Sequence, residues 1–197
     1  MLGGCIVLQF LDLFFKRHEK SVYDFVEKKS SWFILSCLLN IGWILSWHSE
    51  RIWISLLAMT WLFLALSFMY GSLDRYSSGQ HPKRFTLFFL TPVRIYFAWI
   101  SIAIFANITA VFASMWVWQS LNAQLVLSCI LLIIVTIFFA YVLNYFHDYP
   151  FAWVGMWAIV GILLKRLASD PIETYPIILM SIVGIVVITY FFGKSRA

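Results

Sequence analysis

Charge is what this 197-residue sequence has least of, with only 12% of its residues Asp, Glu, Lys or Arg. Soluble domains carry about twice that share. The little charge there is clusters between long apolar runs, which excludes an ordinary water-soluble fold. Acids are scarcer still, at nine. No pair of them stands at mid-run, so the intramembrane carboxylates of an ion-coupled carrier are missing. Asp12 is the one acid within an apolar run, and it is read as paired with the nearby Lys16-Arg17-His18 end. The four histidines are dispersed. His81 sits alone in a turn-rich stretch, and no His, Cys or carboxylate joins it at ligand spacing, so no metal site is expected. His147-Asp148 are sequence neighbours, which point apart on a helix, and are read as a solvated loop pair.

Other absences narrow the chemistry further. The three cysteines, Cys5, Cys37 and Cys129, form no CxxC and lie inside apolar runs, where a thiol serves as a small hydrophobe. A Ser-His-Asp arrangement and a glycine-rich phosphate loop are both missing, so the chain is not expected to be an enzyme. Met1 to Phe15 has no basic leading region and no clear cleavage site, so no cleavable signal is expected.

What is present is apolar surface. Hydrophobic residues make up 62% of the chain, with a mean hydropathy of +0.88. The expected fold is all-α, a polytopic membrane helix bundle of six to seven transmembrane helices. Spans are expected at Ser31 to Trp47, Ile52 to Tyr70, Val93 to Met115, Gln124 to Leu143, Pro150 to Leu164 and Tyr175 to Phe192. Met1 to Phe15 is a seventh only if it crosses. Lys16 to Ser30 reads as an interfacial helix, with Val22, Phe25 and Val26 on one face. Gly71 to Arg84 is a loop. Gln124 to Leu143 is almost featureless Leu, Ile, Val and Phe, as a lipid-facing helix would be. Trp53, Trp116 and Trp118 suit interfacial anchoring, whereas Trp61 lies deep enough to line a site.

The net charge of +5 comes from basic residues in the connections. Alternating spans place eleven Lys and Arg on one side (residues 16, 17, 20, 28, 29, 75, 83, 84, 94, 194 and 196) and three on the other (51, 165 and 166). The richer side is expected to be cytoplasmic, with the C-terminus there and Arg94 a snorkelled anchor. Nucleic acid is not an expected partner.

Two helices carry more than hydrophobicity. Pro92, Tyr96, Trp99, Ala103 and Asn107 follow one another at intervals of four, three, four and four, which puts them on one helix face. Asn40, Trp43 and Trp47 repeat the device at i, i+3 and i+7. Aromatic plates with an amide beside them make a wall suited to a flat apolar ligand, since indole faces stack and the amide offers both a donor and an acceptor. Interhelical glue and membrane anchoring are the other uses of such residues.

These two stripes resemble the translocator proteins, or tryptophan-rich sensory proteins. Their L-N-x-x-W motif is matched by Leu39-Asn40-Ile41-Gly42-Trp43 with Trp47 following. Their final-helix pattern P-Y-x-x-W-x-x-x-A-x-x-x-N is matched by Tyr96, Trp99, Ala103 and Asn107, with Pro92 further upstream than usual. The resemblance spans about Ser31 to Ala113. The family's first helix and its W-x-P-P loop are expected to be absent, and its W-x-x-L-Y helix to survive at most as Met1 to Phe15.

The resemblance implies one membrane domain divided as 1–30 (partial helix and connector), 31–116 (TspO-like core) and 117–197 (three-helix extension). It implies a membrane receptor, sensor or carrier of a planar hydrophobic ligand, tetrapyrrole-like (porphyrin or haem) or sterol-like, in a bacterial plasma membrane. Ligand contact falls to Asn40, Trp43, Trp47, Tyr96, Trp99, Ala103 and Asn107. The partners expected are the bilayer, a hydrophobic small molecule and a second copy as a homodimer. A non-catalytic scaffold or regulatory subunit acting through a protein partner is the alternative reading.

Overall fold

The structure, a computed structural model, describes residues 20–77, 90–115, 120–169 and 173–194. These form six helices: α1 Lys20–His48, α2 Ile52–Ser77, α3 Thr91–Ser114, α4 Leu121–Phe146, α5 Tyr149–Ala168 and α6 Tyr175–Lys194. All six are long and apolar enough to cross a membrane. The fold is the expected polytopic helical bundle. Met1 to Phe15, with Asp12, lies outside the described residues, as do His81, Trp116 and Trp118.

Two boundaries differ from the sequence reading. Lys20 to Ser30 is not a separate interfacial helix, because α1 runs unbroken for 29 residues. No Gly or Pro interrupts Lys20 to Ile41, so nothing bends the axis where the composition turns from polar to apolar. Likewise α2 continues through Gly71 to Ser77, since one exposed glycine is tolerated inside a helix. Pro92 begins α3 as expected, where its missing N–H costs nothing.

The turn after α1 closes tightly. Arg51 N–H reaches Ser46 C=O at 3.0 Å and Glu50 N–H reaches Trp47 C=O at 3.1 Å, a Schellman cap with Glu50 at φ 58°. That left-handed position costs an L-residue roughly 1–2 kcal/mol. Glu50→Gly should therefore raise resistance to denaturation by about 1 kcal/mol in a detergent unfolding titration.

Helix α1 lies at the edge, packed on α2. Helix α2 packs on α3, which then reaches α5 and, more lightly, α4; α4, α5 and α6 pack on one another. Thus α3 couples the α1–α2 pair to the α4–α6 cluster. Lipid is as apolar as leucine, so close packing and polar contacts rather than water exclusion hold such helices together. Hydroxyls inside the helices are satisfied locally, as with Ser101 on Phe97 C=O (2.7 Å) and Ser181 on Ile177 C=O (2.8 Å).

Helix α4 is not the lipid-facing rod expected. Leu132, Val135, Thr136, Phe139, Ala140 and Leu143 are buried. Uniform hydrophobicity hid this face, because periodicity cannot separate protein-facing from lipid-facing leucine. Phe139 packs tilted against Phe151 of α5 with ring centroids 4.8 Å apart, and Phe151 lies 5.6 Å from Phe97 and 5.7 Å from Tyr70. This aromatic cluster joins α2, α3, α4 and α5.

Candidate ligand-binding site

The two motif stripes meet. Asn107 of α3 is 2% exposed, and its side-chain oxygen accepts from Trp43 Nε1 of α1 at 3.3 Å and from Ser55 Oγ of α2 at 2.8 Å. Its amide nitrogen donates to Ala103 C=O, one turn back, at 3.0 Å. One residue therefore ties three helices. Tyr96, on the same face of α3, lies beside Ser36 and Cys37 of α1. Ala103 is half-buried between Tyr96 and Asn107 along that face. The result is a seam in which side chains of α1 and α3 reach each other across α2, the helix on which both pack.

The other stripe residues stand differently. Asn40 is half-buried and has no side-chain hydrogen bond among the described residues. Trp47 is exposed near the end of α1. Trp99 is 45% exposed and does not join the seam; it stands 5.7 Å from Trp157 of α5, on the other flank of α3. Trp61, deep in α2, is exposed on the bundle's outer surface. The four- and three-residue spacings spread a stripe over a wide arc, so its edge residues meet different neighbours.

Asn107 and Asn40 thus differ in chemistry. The oxygen of Asn107 already accepts two hydrogen bonds and its nitrogen donates one, leaving little to offer a ligand. It sets the separation of the helices. Asn40 keeps its donor and acceptor, a turn from Trp43.

A second polar cluster, at the opposite end of α3, escaped the sequence reading. Asp148 is not solvated; it is 2% exposed. Its Oδ1 accepts from Phe151 N–H at 3.1 Å and so caps α5. Its Oδ2 accepts from Tyr70 Oη at 2.8 Å and stands 3.4 Å from Arg94 Nε. Arg94 is therefore an inward ion-pair partner, not a snorkelled anchor. Its Nε is buried and makes no hydrogen bond, so the pair is held by charge rather than by a directed bond. The signal that could have found Asp148 was its place just before Tyr149-Pro150, an N-cap followed by proline in the first turn. Among the described residues no group of His, Cys, Asp and Glu could hold a metal ion.

The family model for TSPO-like proteins matches residues 1–192. This chain belongs to that family. The match runs through all six helices and is not confined to the stretch bearing the two motifs. No curated protein and no solved structure matches the chain. As a TSPO-like protein it is an integral, multi-pass membrane protein in contact with the bilayer, and its family supports a membrane sensor or ligand-binding role in general terms.

Proposed function

We propose that this TSPO-like protein is a receptor or carrier for a planar hydrophobic ligand of tetrapyrrole or sterol type, taken at the seam of α1 and α3. One observation carries the reading. The L-N-x-x-W helix and the Asn107 helix, far apart in sequence, are tied to each other across α2 through Trp43, Ser55 and Asn107. On this reading Asn107 positions the walls, Asn40 supplies the ligand's hydrogen bond, and the Trp43 and Trp47 rings supply stacking surface. Tyr96 and Ala103 line the α3 side, and Trp99, turned to α5, takes no part. The basic end of the bundle, with the C-terminus, faces the cytoplasm by its excess of Lys and Arg. Catalysis has no part in the proposal.

The test is a titration of the detergent-purified protein with protoporphyrin, followed by the porphyrin's absorbance and by tryptophan quenching. Wild type should saturate. Asn40→Ala with Trp47→Leu should weaken binding about tenfold, corresponding to roughly 1.4 kcal/mol. Trp153→Leu, an exposed position on α5, should leave affinity unchanged. Unsaturable binding, or equal losses in both variants, would remove the seam as the site.

A further inference from the structure

A partly open cavity of about 120 Å³ lies at the end of the bundle away from the Asp148 cluster, where α3, α4, α5 and α6 converge. Its polar lining comes from Thr109, Gln124, Ser128, Arg166 and Thr174, set among Leu125, Leu127 and Ile177. From these residues we infer a second binding site, one for a carboxylate or phosphate group carried as the head of a single-chain amphiphile. It shares no residue with the α1–α3 seam and stands independently of it.

Lys165 is exposed, whereas its neighbour Arg166 is half-buried and lines the cavity. Among the described residues no carboxylate pairs with Arg166; the sole ion pair there is Arg94–Asp148. A guanidinium partly withdrawn from water beside an apolar wall gains from an anion, and its planar fork matches carboxylate and phosphate oxygens.

Two further donors face the same space. Gln124 and Ser128, one turn apart on α4, have no side-chain hydrogen bond among the described residues. By contrast the Thr109 hydroxyl is already committed to Phe105 C=O at 2.9 Å. Among the described residues the cavity therefore presents one positive charge and two donors, with no negative charge in its lining. Its volume suits a headgroup and not a chain. Leu121 and Ala113 add apolar lining, and Leu121 is exposed at the outer surface, the side on which a chain would meet lipid.

The experiment uses the full chain in an uncharged maltoside detergent and a dansyl-labelled fatty acid as the fluorescent probe. Wild type should bind it saturably, and oleate should displace it about tenfold better than oleyl alcohol, which has the same chain without the charge. Arg166→Gln should weaken the probe about tenfold, whereas Arg166→Lys, which keeps the charge, should retain most of the affinity. Ala113→Phe leaves every polar group in place but occupies the cavity, and should abolish saturable binding. It decides the matter if Arg166→Gln does not yield monodisperse protein. Inorganic phosphate and acetate distinguish the sources: failure to displace the probe puts the anion on an amphiphile, and displacement as strong as oleate's makes it a free anion at the same site. Wild-type affinity in either Arg166→Gln or Ala113→Phe would overturn the inference.

Discussion

Asp148→Ala is expected to destabilise the bundle by about 3–5 kcal/mol, the range for breaking a buried ion pair on one side. Three losses coincide. Phe151 N–H loses its cap, worth about 1 kcal/mol. Tyr70 loses the acceptor of its 2.8 Å hydrogen bond, and Arg94 keeps its charge with no counterion. Arg94 is still 16% exposed at its side chain, so solvent relieves part of the last cost and the lower half of the range is expected. Asp148→Asn keeps one oxygen for the cap, with its amide nitrogen taking the place of the oxygen that faces Tyr70, and should lose less. Tyr70→Phe should cost about 1–2 kcal/mol, as for a hydrogen bond to a charged group. Unfolding in mixed micelles at rising dodecyl sulfate would rank the three. An Asp148→Ala protein within 1 kcal/mol of wild type would mean the pair contributes only specificity.

Gly155→Leu should be at least as damaging, for a different reason. A Cβ built at Gly155 would overlap the ring of Phe139, which is fully buried. The ring cannot swing aside, because Phe151 stands at 4.8 Å and Phe138 at 5.7 Å. Overpacking of a filled core costs about 1–3 kcal/mol, and a rigid aromatic neighbour puts even Gly155→Ala toward the top of that range. Pairing Gly155→Ala with Phe139→Leu should recover much of the loss, since the two residues share one space. Additive losses in the double variant would show that Gly155 matters for its helix rather than for its contact. Gly184 on α6 approaches Thr136 Oγ1 and Ile159 in the same manner, so small residues bring α4, α5 and α6 together.

The sequence was most legible where one helix speaks for itself. Length and hydropathy located the six spans, Pro92 marked a helix start, and two helical stripes led to the family. The part that stayed hidden depends on pairs. Asp148 reads as a loop acid until α3 and α5 are known to start at the same end, which places Arg94 beside it. The alternation of spans implied that neighbourhood, and the acid before Pro150 would have completed it. Phe139 and Gly155 carried no signal, because in a uniformly apolar helix the protein-facing side has the same composition as the lipid-facing side. The split between Trp43 and Trp99 was hidden for a third reason. Both belong to stripes of one periodicity, but α3 has neighbours on two flanks, and only packing decides which flank each ring meets.

The junction of the two motif helices is tested most directly by a double-mutant cycle on Trp43→Phe and Asn107→Ala, read as unfolding free energy. Trp43→Phe removes the indole N–H and keeps an aromatic plate. The pair should show a coupling of about 0.6–1.7 kcal/mol, between the average and the maximum measured for interhelical hydrogen bonds in membranes. Trp43→Phe with Asp148→Asn, at opposite ends of the bundle, should be additive and serves as the control. Additivity for Trp43 and Asn107 as well would contradict the account, because the two stripes would then be neighbours without being joined.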